Sequence, residues 1–244
     1  MDLSTILRIG SLAFAASITA WHAPLIAQNE TAGRADLYTQ IVPALELNDE
    51  DIFQSFAKLD QMGFAKFSLE RLLKPKLASP LPPDPKFYAR IEGETLQEVL
   101  DWLCSLDPRY AWMKGARLVH IVPRAIRDDP HCLLNRRIPI VEFKNESDGG
   151  NAALAAIRHL PGPIQQIALL QAGGSVSFAK PWTATLQDIT VREAFELIAA
   201  QIGPDVGWQL TGSEDFRLMM FHHSLVPRSE YEKQRKLRME QPPT

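Results

Sequence analysis

Cysteine is scarce in this chain, with two in 244 residues, Cys104 and Cys132. An even count in an exported protein invites one disulfide. A Cys104–Cys132 bridge would close a loop of roughly 28 residues and contribute ~3 kcal/mol if unstrained. The alternative is one buried thiol, since Cys104 lies near the buried face of a helix, and one exposed thiol. Charge of one sign is also lacking. The net charge is −3, and no basic stripe, Arg/Lys–aromatic interleaving or groove-reading motif is present. That argues against a nucleic-acid partner and gives no reason to expect a polyanionic one. Long apolar runs are missing as well. The longest, Ile9 to Ala20, is interrupted by Trp21-His22 and Pro24, short of the ~20 residues a membrane span needs.

Catalytic signatures are equally sparse. No Gly-x-Ser-x-Gly elbow surrounds Ser175 or Ser177, and Gly173-Gly174 is not followed by the Lys-Ser/Thr of a phosphate loop. Six histidines fall at 22, 120, 131, 159, 222 and 223. His222 and His223 would point to opposite faces of a strand. His131-Cys132 lacks the further partners of a four-ligand site. The acids Asp49, Glu50 and Asp51 crowd a helix start, where the helix dipole favours them. No metal, cofactor or catalytic set is therefore expected.

What the sequence does have is repetition. The stretch Thr95-Leu-Gln-Glu98-Val-Leu100 is echoed by Thr190-Val-Arg-Glu193-Ala-Phe195. Each is a capping box, a threonine hydroxyl accepting from the amide three residues on while the glutamate reaches back. Apolar residues follow at Leu96, Val99, Leu100 and Leu103, and at Val191, Ala194, Phe195 and Ile198. At roughly 100° per residue they form one buried stripe. Asn48 reads as an earlier cap, with Asp51 in the acid's place and Ile52, Phe53 and Phe56 on the stripe. The separations, 47 and 95 residues, predict a fourth cap near 142 or 143. Asn145 or Ser147 is offered there, before the Ala-rich run 151–157.

Alternating strands flank these helices. Phe87, Ala89 and Ile91 precede one, and Thr183, Thr185 and Gln187 precede the other. Aromatic-bearing strands follow, Tyr110-Ala-Trp112 and Gly207-Trp208-Gln-Leu210. Gly115 and Gly212 fall in later turns, where a positive φ is expected. The composition, 45% hydrophobic and 23% charged, is that of a soluble globular chain of one large or two small domains. The expected fold is α+β: two small domains of repeated β-α-β units, each with helices packed on a mixed sheet.

In chain order, residues 1–27 read as a secretory signal peptide with Arg8 at its positive end; the competing reading is an uncleaved anchor. No Cys lies there, so a lipoprotein anchor is not expected. Residues 28–43 are a polar run-in and 44–123 a first α+β repeat domain. That domain contains an exposed loop with five prolines in eleven residues, 75–85, too many for a sheet interior or a helix. Residues 124–137 are a charged linker, 138–226 a second repeat domain and 227–244 a charged tail.

The pattern of a β-strand, a Thr-x-x-Glu-(Val/Ala)-(Leu/Phe)-x-x-(Leu/Ile) helix and a Tyr/Trp-bearing strand, at Phe87–Val122 and Ala184–Phe221, resembles the short N-terminal domain of secretins and TonB-dependent receptors. It covers about a third of the chain. The resemblance implies a periplasmic β-α-β module that mediates protein contacts in secretion or uptake signalling and carries no catalytic residues. Three functions are therefore expected in order. The first is a non-enzymatic interaction module, docking an envelope protein through a sheet edge or the proline-rich loop. The second is a small-ligand or glycan-binding protein with Trp112, Trp182 and Trp208 in a cleft between domains. The third is an enzyme with a dispersed active site. Contact with a membrane is expected only through the N-terminal segment, if it is uncleaved.

Overall fold

A computed structural model describes residues 37–71, 83–161, 166–169, 177–212 and 216–223. The signal-peptide segment, most of the proline-rich loop, the Gly173-Gly174 turn and the charged tail lie outside the described residues. The same order of elements runs twice. In the first half it is β1 (Ile41–Glu50), α1 (Ile52–Gln61), β2 (Phe67–Glu70), β3 (Phe87–Thr95), α2 (Leu96–Leu106), β4 (Tyr110–Lys114) and β5 (Val119–Pro123). In the second it is β6 (Arg137–Asp148), α3 (Gly149–Arg158), β7 (Gln166–Leu169), β8 (Ser177–Thr190), α4 (Val191–Ile202), β9 (Gly207–Gly212) and β10 (Phe216–His222). The protein is thus a mixed α+β fold.

The caps decide where each helix starts. The Thr95 amide donates to Glu98 at 2.8 Å and the Glu98 amide to Thr95 Oγ1 at 3.3 Å. Thr190 and Glu193 repeat this at 2.6 and 3.2 Å. The earliest cap is Asp51, boxed with Gln54, and not Asn48. The fourth is Asp148, accepting from the Asn151 amide at 2.8 Å, and not Asn145 or Ser147. Asp51 and Asp148 stand 97 residues apart, and Thr95 and Thr190 stand 95 apart. The repeating block therefore holds two helices, each the centre of one of the four expected β-α-β units, which fall into two pairs.

A backbone device precedes every helix. Asp49, Gly93, Asn145 and Asp188 all have positive φ, between 48° and 70°, and each lies two or three residues before a cap. Asp, Asn and Gly are the residues that tolerate this region. In β1 and β6 it coincides with a register shift, the chain turning from strand into helix across the kink.

Long antiparallel ribbons pair β1 with β3 and β6 with β8. The remaining strands form one six-stranded sheet in the order β4-β5-β2-β9-β10-β7. Each half contributes three strands with the same internal pairing. β2 and β7 run parallel to β5 and β10, which in turn pair antiparallel with β4 and β9. The halves meet where β2 runs parallel to β9.

The described residues form two hydrophobic cores. One gathers the predicted stripe of α2, fully buried at Leu96, Val99, Leu100 and Leu103, with Phe56, Phe67 and Tyr110. The other gathers Val191, Ala194, Phe195 and Ile198 of α4 with Phe143, Trp208 and Phe221. Burying so many large apolar side chains, at about 1.5–3 kcal/mol each, is the main stabilising contribution. Two expected boundaries shift. Tyr38 and Val42, within the expected run-in, are buried in the first core. The expected linker folds into two 3-10 turns, Arg124–Ile126 and Leu133–Asn135, and sends Cys132, Leu133 and Leu134 into the second core. Asn135 fastens it by donating to the carbonyls of Ile126, Arg127 and Asp129.

Candidate functional site

The side chains that stand out chemically lie where the halves join. The registers place His120 of β5 beside Ser68 of β2, Ser68 beside Trp208 of β9, and Trp208 beside Phe221 of β10. Partners directly opposite one another share a face, so these four form a row across the sheet. Helix α4 covers the row, with Phe195 edge-on to Trp208 at 5.7 Å between ring centres.

Beside the apolar stripe of α4, Arg192 and Glu196 stand four residues apart and reach across the join. The Arg192 guanidinium donates twice to Glu70 of β2, at 2.9 and 2.7 Å, and also bonds Asn135. Glu196 accepts from the amides of Ala116 at 3.1 Å, Arg117, and Leu118 at 2.7 Å. These amides belong to the turn between β4 and β5. The same carboxylate lies 3.4 Å from His120 Nε2, while His120 Nδ1 is 2.5 Å from Ser68 Oγ. Directing the Nε2 proton to Glu196 leaves Nδ1 to accept from the Ser68 hydroxyl.

Two glycines make these approaches feasible. A Cβ on Gly115 would fall 2.3 Å from His120 Nε2 and 2.8 Å from Glu196 Oε2. The need at Gly115 is space and not the expected positive φ, which the described glycines show only at Gly63 and Gly93. A Cβ on Gly207 would fall 2.2 Å from the Phe67 carbonyl oxygen, between β2 and β9.

Serine, histidine and carboxylate in line share the order of parts used in nucleophilic hydrolysis. Here the arrangement is sealed. Ser68 is 0% exposed, and His120 and Glu196 are 3% exposed. The carboxylate is committed to three backbone amides. Burial works to raise the Glu196 carboxyl, but the hydrogen bonds from His120, Arg117 and Leu118 outweigh it and hold it below the ordinary carboxylate range. The set satisfies buried polar groups across the join; it offers no surface to a substrate.

The expected site residues do not converge. Trp208 is fully buried in the second core, its Nε1 without a hydrogen-bond partner among the described residues. Trp182 is half-buried and stacks on Phe143 at 4.6 Å. Trp112 is half-buried beside the first core, stacks on Tyr38 at 5.4 Å and donates to Asp101. Trp208 lies in the second core with Trp182 packed against that core, while Trp112 packs against the first, and among the described residues no two of the three rings stack on one another. Cys104 and Cys132 are both buried and are not bridged to each other, one in each core. The expected exposed thiol is therefore buried as well. Burial pushes the Cys104 thiol up to about 12. Among the described residues no cluster of metal-binding side chains occurs, and no helix is long and apolar enough to cross a membrane.

His222, at the end of β10, carries a pH dependence. Burial lowers its imidazole from 6.5 to about 4, with Lys66 and His223 adding to the shift. Between those values the unfolded chain binds more protons than the folded one. The contribution is fully present above about pH 6.5 and is lost as pH falls to about 4, by about 3 kcal/mol. Urea midpoints should decline across that window, and His222→Phe should flatten the decline. An identical slope in the variant would assign it to another group.

No protein-family model, curated protein or solved structure matches the chain.

Proposed function

We propose that this chain is a non-enzymatic interaction module of the bacterial envelope that docks a protein partner along an edge of its sheet. The observation that carries the reading is the sheet itself. Its outer strands, β4 and β7, pair with no further strand among the described residues. An outer strand presents a row of backbone donors and acceptors that an added strand can satisfy. The polar groups that a hydrolytic reading would need are enclosed between the halves. The resemblance to the short secretin and TonB-receptor domain and the signal-peptide character of residues 1–27 support a periplasmic or secreted setting.

The test is capture from a periplasmic extract by the immobilised chain and by Lys114→Pro. Gly115 donates to the Leu118 carbonyl and Val119 to the Lys66 carbonyl. Residues alternate along a strand, so the Lys114 amide is turned away from β5. Proline there removes an outward donor and leaves the β4–β5 ladder intact. The native chain should retain an envelope protein that the variant loses. A clean capture with no partner would overturn the proposal.

A further inference from the structure

The internal repeat specifies what fits the open edges. β2 and β7 occupy the same place in their halves, each parallel to the strand before it in the sheet, β5 or β10. β4 and β9 likewise correspond, each antiparallel to that same strand. Inside the molecule, β2 and β9 lie parallel and joined, the Arg71 amide donating to the Leu210 carbonyl at 2.9 Å. The two outer strands, β7 and β4, are therefore the counterparts of the two strands that already pair.

We infer that the chain associates head to tail with a second copy of itself, β4 of one lying parallel to β7 of the next and extending the sheet. This rests on the edge-docking reading and names its partner. The helix beside β4 fits an exposed version of the internal join. In α2, Gln97 and Asp101 stand where α4 has Arg192 and Glu196, and both are exposed. Over Trp112 the N-terminal turn supplies Tyr38, as His120 lies near Trp208 at 6.0 Å. Because the two edges differ, the contact is heterologous and does not close at two copies; it continues into a ring or a filament. The four-residue length of β7 and the charge of Lys114 blunt the edges, so assembly is weak and concentration-dependent.

Sedimentation equilibrium of the full chain, alone, from micromolar to millimolar, tests this. The weight-average mass should rise beyond two 27.4 kDa protomers, while Lys114→Pro stays at one. Hydrogen exchange on the native chain gives a readout that does not depend on the variant folding: the Lys114 amide should exchange at least tenfold more slowly at the top of the series than at the bottom. A mass fixed at one protomer, a dimer that grows no further, or growth equal in the variant overturns self-association. A chain that stays monomeric yet still captures an envelope protein overturns this inference alone and leaves the docking function standing.

Discussion

Glu196→Ala is expected to destabilise the protein by about 3–5 kcal/mol, the range for breaking a buried charged network by removing one partner. The carboxylate is buried and accepts from the amides of Ala116, Arg117 and Leu118. Alanine strands those donors and leaves His120 facing a void. Each buried donor left without an acceptor costs about 1–3 kcal/mol. Glutamine keeps one acceptor oxygen, so Glu196→Gln should lose less. The pH profile separates charge from shape. The folded carboxyl lies below its ordinary 4.5, so its contribution is fully present above that value and fades as pH falls further. Glutamine removes that acid limb. Equilibrium urea denaturation at pH 7 and below pH 4.5 measures both effects. A loss under about 1 kcal/mol in the alanine variant would mean that the turn finds other acceptors.

The second large effect is at Arg192. Arg192→Ala removes the guanidinium from Glu70, whose carboxylate is 2% exposed, and should also cost about 3–5 kcal/mol. The paired replacement Arg192→Met with Glu70→Leu should recover most of that loss, because apolar groups of similar volume need no desolvation of charge. The cycle completed by the single variants Arg192→Met and Glu70→Leu gives the coupling. Two single losses that simply add in the double variant would show that the pair does not couple the halves.

These two clusters mark the limit of what local sequence carries. The entrances at Thr95 and Thr190 were legible because a capping box is contained in four residues. The stripes were legible because they are periodic. At the first helix Asn48 and Asp51 are both good caps, and the kink at Asp49 that selects Asp51 has no signature beyond a residue tolerant of positive φ. Glu70 and Arg192 lie 122 residues apart, and Leu118 and Glu196 lie 78 apart. No periodicity links such partners. One trace was present: a charged pair four residues apart beside the apolar stripe, at Arg192 and Glu196. The pair lies outside that stripe, so the helical period carries no sign that it is buried. Trp208 was misplaced for a related reason, since an aromatic on a strand marks a face, and only the assembled sheet tells which face is covered.

The parallel pairing of β2 with β9 also sets an order of events during synthesis. Ser68 and Trp208 are adjacent in the sheet and 140 positions apart in the chain. The amino-terminal half therefore leaves the ribosome with one border of β2 bare, and closing that border waits for nearly the whole polypeptide. Contacts of such long range slow folding and lengthen the exposure of a sticky strand. A nascent chain stalled before residue 207 is the species a holdase must shield.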